Sequence, residues 1–266
     1  MSFHTRQAAV FIGHGNPMNA LEDNPHTRAW RQLGESMPRP RAVLAVSAHW
    51  YTSGTGVTAM PQPRTIHDFY GFPPALFEQR YPAPGDPALA QRVQELLRPV
   101  AVAADQEWGL DHGTWSVLTH VYPQADIPVV QLSIDATQPP EYHYELGQRL
   151  APLREEGVLI FGSGNVVHNL RQAKWQPAAS AYPWATAFAD QLRTSLASGD
   201  HQPAIHYERL GEAAMLSVPT PEHYLPLLYV LGAGSPHDTV SFPTDGIEMG
   251  SISMLTVLLK SENGEK

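Results

Sequence analysis

Residues 11–18 read Phe11-Ile12-Gly13-His14-Gly15-Asn16-Pro17-Met18. A short apolar run, Ala8 to Ile12, ends at a histidine held between two glycines, and a proline closes the turn soon after. Such a run, bounded by turn residues, predicts a buried strand that delivers one imidazole to its carboxyl end. The flanking glycines let the backbone turn sharply and let another group approach closely. The device recurs. Arg41 to Ala48 is a second buried strand that runs directly into His49-Trp50. Gly157 to Phe161 is another, followed by the glycine-rich Gly162-Ser-Gly-Asn-Val-Val and then His168.

Around these strands the chain alternates. Ile127 to Ile134 and Ser251 to Leu259 read as further strands, and Gly56 to Met60 as a short one at an edge. Helix starts are marked by Asn24-Pro25, Asp86-Pro87, Pro139-Pro140 and Tyr182-Pro183, because proline suits the first helical position and Asn or Asp caps it. Thr220-Pro221-Glu222-His223 reads as a further start, with Thr220 as the cap and a helix running to Gly232. Asp111-His112-Gly113-Thr114-Trp115 reads as a loop entering a short apolar helix through Val117, Leu118 and Val121. Residues 61–87 combine many prolines with His67, Phe69, Tyr70, Phe72 and Tyr81, too many rings to bury for a linker and in keeping with an ordered loop over a site. No repeat or flexible linker divides the chain. The expectation is an α/β fold: a single domain over 1–260 with a central mixed, largely buried β-sheet flanked by helices, and a tail at 261–266.

Composition narrows the function. Of 266 residues 42% are hydrophobic, enough for a sizeable core. The net charge is −9 without any basic cluster, which argues against nucleic acid and anionic membranes as partners. No run approaches the length of a membrane span and the N-terminal apolar run is too short for a signal peptide, so a cytoplasmic protein is expected, as monomer or small homo-oligomer. Cysteine is absent. That removes disulfides and thiolate chemistry and leaves histidine and carboxylates to hold any metal.

Ligands of open α/β sheets bind beyond the carboxyl ends of the strands. His14 and His49 leave two strand ends, His168 follows a third, and His223 lies in a helix first turn that could face the same rim. Taken singly, His14 or His49 is as much at home as a hydrogen-bonded loop residue, and His223 more so. Together, four imidazoles from distant parts of the chain suit a catalytic metal site better than a structural one, which uses closely spaced pairs. Of the other histidines, His4, His26, His120, His143, His201, His206 and His237 read as surface or helix-face residues, while His67, beside Asp68 in the aromatic loop, reads either way. Gly162-Ser-Gly164 lacks the pattern of a nucleophile elbow or dinucleotide loop, so Ser163 reads as a turn residue.

Several longer motifs then carry a resemblance: GHGNPM at 13–18, SAHW at 47–50, HDFYGFP at 67–73, YPAPG at 81–85, DHGTW at 111–115, SGNVVHNL at 163–170, TPEHYLPLLYVLGA at 220–233 and GIEMGSISM at 246–254. Over nearly the whole chain the sequence resembles the DOPA 4,5-dioxygenase branch of the class III extradiol ring-cleaving dioxygenases. The resemblance implies one divalent metal held by His14, His49 and His223, with His168 as acid/base beside it or as a further ligand, and His112 positioning oxygen or substrate. His223 stands where relatives place a glutamate. An all-imidazole set suits zinc in the isolated protein as well as the Fe(II) that oxygen chemistry requires. The implied reaction opens the ring of L-DOPA or a similar catechol with O₂ to give a semialdehyde, and His67, Phe69 and Tyr70 are candidates for the substrate wall. The alternatives on the same cluster are a zinc hydrolase and a non-catalytic metal-binding protein. Glu248 is a candidate carboxylate neighbour or a capping residue.

Overall fold

Every residue of β1 (Ala9–Gly13) is buried, with Ala9 and Phe11 packed into one apolar cluster and Val10 and Ile12 into another. A strand apolar on both faces must be covered on both. The computed structural model, which describes residues 6–176 and 179–261, accordingly shows a sheet between two helical layers. The other strands are β2 (Ala42–Thr52), β3 (Thr55–Thr58), β4 (Val102–Asp105), β5 (Val129–Asp135), β6 (Val158–Gly164), β7 (Asp238–Ser241), β8 (Ile247–Glu248), β9 (Ile252–Ser253) and β10 (Thr256–Ser261). Eight of them form one mixed sheet in the order β4-β3-β5-β2-β6-β1-β10-β7, and β8 with β9 make a separate ribbon. At its centre β5, β2, β6 and β1 run parallel, so their carboxyl ends share one rim.

The helices are α1 (Pro25–Ser36), α2 (Pro74–Phe77), α3 (Pro87–Leu96), α4 (His112–Val121), α5 (Pro140–Leu150), α6 (Pro152–Glu155), α7 (Pro183–Ala197), α8 (Gln202–Ile205), α9 (Glu212–Ser217) and α10 (Leu225–Gly232). Trp30 and Leu33 of α1 and Trp115, Val117 and Leu118 of α4 cover one face of the sheet. Helices α3, α5, α7 and α10 cover the other. All eight residues of α10 are buried, as a helix apolar all round must be. It crosses α5 closely: a Cβ on Gly147 would stand 2.4 Å from Tyr229 O, and one on Gly232 2.1 Å from Tyr144 O.

The capping signals at Asn24, with Pro25 at the first helical position, and at Asp86 are realised in full. Other expectations are corrected. Strand β3 is internal, and the edge belongs to β4, whose mixed burial gave no apolar signal. The glycines of 162–164 extend β6 rather than forming a loop, because a Cβ at Gly162 or Gly164 would meet Pro226 O at 2.7 Å or His223 O at 2.1 Å. Residues 112–115 are already the first turn of α4, capped by Asp111. Thr220 caps nothing: α10 begins at Leu225 after a turn, and the Thr220 hydroxyl donates to Glu222 Oε1 at 2.8 Å. The expected closing strand is split, its first residues pairing in the β8–β9 ribbon and only 256–261 joining the sheet. Of the tail expected at 261–266, only Ser261 is among the described residues, where it ends β10. His4 also lies outside them.

Candidate functional site

Beyond the carboxyl rim lies a cavity of about 530 Å³ lined by His14, His49, His112, His168 and His223. His14 follows β1 directly, its N–H donating to Gly164 O at 3.1 Å. His49 lies within β2, where the pairing with β5 slips register between Val46 and Tyr51 and so re-aims the side chains between them. His112 is the first residue of α4. His223 is pinned from behind, its carbonyl accepting Asn165 N–H at 2.8 Å. His168, whose N–H donates to Ser217 O at 2.8 Å, stacks on His223 with centroids 3.5 Å apart and planes 11° apart. All five histidines expected at or beside the metal thus reach one cavity.

The imidazoles are oriented from outside. Ser163 Oγ donates its one hydrogen to Gly113 O at 2.5 Å, so at 3.0 Å from His14 Nδ1 it can only accept. His14 therefore carries hydrogen on Nδ1. His49 Nδ1 faces Asp68 Oδ2 at 3.3 Å, and His223 Nδ1 faces Glu222 Oε1 at 3.1 Å. Carboxylates only accept, so those two rings also present Nδ1–H and keep a bare Nε2. The Nε2 atoms of His14 and His49 stand 3.3 Å apart. Two bare nitrogens at that distance are placed to share one cation. Two donor groups cluster within 4.8 Å: His14, His49 and His112, and His168, Glu222 and His223.

Electrostatics keep His14, His49, His168 and His223 neutral. Burial first, and then the neighbouring histidines, hold His14 and His223 well below the ordinary imidazole value. Burial likewise lowers His49 to about 3 and His168 to about 4. Burial would raise the Asp68 carboxyl, but its bond to His112 and the adjoining imidazoles outweigh that and hold it at about 2. Behind the site Asp111, wholly buried, is pushed up to about 6 by burial and by Asp68. Neutral imidazoles backed by ionised carboxylates are a donor set suited to one divalent cation. The residues present fit such an ion.

Phe69, Tyr70, Phe72, Leu170, Trp175, Met249 and Ile252 complete the cavity wall. Tyr70 and Trp175, 93% and 71% exposed, stand at its mouth. His67 lies behind the wall, its Nε2 bonded to Gln79 O at 3.0 Å and its ring 5.7 Å from Phe69. Glu248 points to His26, at 3.1 Å, and does not line the cavity. His120 and His143, expected on surfaces or helix faces, are buried on their helices, the first bonded to Asn19 O and the second to Tyr229 Oη. Sequence reasoning missed Asp68, Ser163 and Glu222 as partners of the cluster. Only Asp68, beside His67 in an aromatic loop, carried any local signal.

Comparison with known proteins identifies the family. Residues 9–256 match the family described as the catalytic LigB subunit of aromatic ring-opening dioxygenase. The chain is 56% identical over 257 residues to the 4,5-DOPA dioxygenase extradiol of Escherichia coli (strain K12), covering 95% of this chain and 94% of that one. It is 42% identical to the protein of the same name from Beta vulgaris, covering 84% and 85%. The crystal structure of an uncharacterized Escherichia coli K12 protein superposes with a TM-score of 0.84 at 53% identity, covering 95% and 99%. An imidazole-lined cavity on this sheet and a match over nearly the whole chain lead to one conclusion: the chain belongs to the LigB family of aromatic ring-opening dioxygenase catalytic subunits.

Proposed function

We propose that this protein is a metal-dependent extradiol dioxygenase that opens the ring of L-DOPA or a similar catechol at the 4,5 bond with O₂, giving a semialdehyde. The observation that carries the reading is the set of three imidazoles, His14, His49 and His223, whose Nδ1 atoms all face acceptors and whose Nε2 atoms are left bare. These three would hold the metal, with His168 beside them. When bound, a divalent cation supplies Lewis acidity toward the catechol oxygens, and Fe(II) in addition supplies the redox chemistry that O₂ needs.

The chain's own residues do the rest. Phe69, Phe72, Met249 and Ile252 offer apolar walls for an aromatic ring and exclude water from it. The cavity volume of about 530 Å³ suits a single-ring substrate with a short tail. His168 has no carboxylate partner among the described residues and is neutral at pH 7, so a ring nitrogen is free to take a catechol hydroxyl proton and later return it. His112, with Nδ1 turned to Asp68, presents its Nε2 side as a second polar contact for the diol or for oxygen.

The test uses metal-free protein loaded with Fe(II) under nitrogen, mixed with L-DOPA and then opened to air. Oxygen uptake with a new yellow chromophore is the expected result. Absence of uptake by an Fe(II)-loaded, folded protein across L-DOPA and simpler catechols overturns the proposal. Replacing His168 with Ala should leave metal binding intact and lower kcat about 10²–10⁴-fold, the usual contribution of a general acid/base.

A further inference from the structure

The aromatic loop sends one carboxylate into the imidazole cluster. Asp68 Oδ2 lies 3.3 Å from His49 Nδ1 and 3.0 Å from His112 Nδ1, while Asp68 Oδ1 accepts the His112 backbone N–H at 2.9 Å. We propose that Asp68 is a positioning residue that sets the hydrogen position on two cavity imidazoles at once, and so ties the substrate-facing loop to the metal-binding edge of the cluster. The inference rests on reading that cluster as the metal centre of a dioxygenase.

Both contacts are at ion-pair distance, and His112 Nδ1 lacks the alignment of a hydrogen bond. A carboxylate has no hydrogen to give, however, so a neutral ring this close favours an Nδ1–H on that side over a lone pair facing the negative oxygen. In a neutral imidazole, the bond made by one nitrogen decides what the other can do. Asp68 thereby leaves His49 with a bare Nε2 facing His14 Nε2, and His112 with a bare Nε2. The half-buried Asp68 is not fixed by the cluster alone. The next residue, Phe69, packs its ring edge-on to His112 at 5.5 Å and to Phe72 at 5.3 Å, and residues 68–72 all line the cavity. Any displacement of this loop withdraws the same oxygen from both imidazoles. Substrate that seats the loop would therefore also seat His49 and His112.

The bland alternative is that Asp68 only caps α4 through the His112 N–H. Asp68→Asn separates the two. An asparagine can keep its carbonyl oxygen on that N–H, preserving the cap, but must turn an NH₂ toward the rings, where an acceptor is needed. Nitrogen-15 NMR of the metal-free parent should show His49 and His112 both as the Nδ1–H form, a measurement that needs no variant. In D68N at least one ring should change form, and the Zn²⁺ dissociation constant should rise about 10–100-fold, as for other lost partners of metal-bound histidines. A parent spectrum with Nε2–H on either ring overturns the proposal. So does a D68N protein with both forms and Zn²⁺ affinity unchanged. Neither readout depends on turnover, so a parent that fails to consume oxygen would sink the dioxygenase reading and leave this one decided separately.

Discussion

A methyl group at position 113 would stand 2.5 Å from Ser47 Oγ and 2.8 Å from His49 Cδ2. Gly113 sits in the first turn of α4 with ordinary helical geometry, so what its missing side chain provides is room for the His49 ring. Its carbonyl meanwhile takes the Ser163 hydrogen that obliges Ser163 to accept from His14. One small residue thus adjoins two imidazoles. Gly113→Ala should fold, at a cost of about 1–3 kcal/mol typical of overpacking. Misplacing His49 by a fraction of an ångström to an ångström should lower catechol kcat/KM by up to about 10²-fold. Paired denaturant melts and oxygen-uptake kinetics check both halves, and unchanged kinetics would mean that the ring tolerates the shift. At this scale His14 and His49 were legible because each ends an apolar run, His14 between two glycines, which is a local pattern. Ser163 and Glu222 were not. A serine inside a buried strand and an acid near a helix start look ordinary until the fold sets them against particular nitrogens.

Elements whose burial is uniform announced themselves, and those whose role depends on neighbours did not. The parallel central strands β2, β5 and β6 are continuous apolar runs and were found with ends off by a few residues. Strand β4 has no fully buried residue, its two middle positions being exposed, and left no trace in the sequence. Gly162 and Gly164 read as loop because glycine is rare inside strands, yet here it is required by the backbone of 223–226 lying across β6. That contact shows how α10 bears on the site. The helix begins two residues after His223, and its distance from the sheet is set by its crossing with α5. Gly147→Val places side-chain atoms where Tyr229 O now stands at 2.4 Å from a would-be Cβ. The two helices must part or tilt. The expected loss is about 1–3 kcal/mol in urea titrations, together with weaker Zn²⁺ binding as the 223 segment shifts. Lost stability with undiminished metal affinity would show that the turn at 220–224 absorbs the movement before it reaches His223.

For the molecule as a whole, the carboxyl rim of the sheet is given to chemistry, and the opposite rim holds the fold together. There Arg154, wholly buried, donates to Gln7 O at 2.7 Å, Ala233 O at 2.9 Å and the two carboxylate oxygens of Asp238 at 2.5 and 3.1 Å. One guanidinium thereby joins α6, the approach to β1, the end of α10 and strand β7. A buried pair of this kind adds little over a well-packed apolar substitute, but removing one partner leaves an uncompensated charge and costs about 3–5 kcal/mol. Asp238→Asn should therefore lower stability by roughly that amount at pH 7, with the activity of the remaining folded protein unchanged because the cavity lies at the other rim. The pH dependence has a definite sign. Burial raises the Asp238 carboxyl, the bonds and charge of Arg154 lower it more, and the net position is below the usual carboxylate value. A folded-state value below the unfolded one means that the pair contributes in full above the unfolded carboxylate pKa of about 4 and loses its contribution as pH falls through the lower folded value. Asparagine does not titrate. The gap in urea midpoint between parent and D238N should stay level from neutral pH down to about pH 5, and close progressively below about pH 4 as the parent's carboxyl takes up its proton. A gap of constant width through the acid range would assign the titrating carboxylate to some other pair and leave Arg154 held by backbone carbonyls alone.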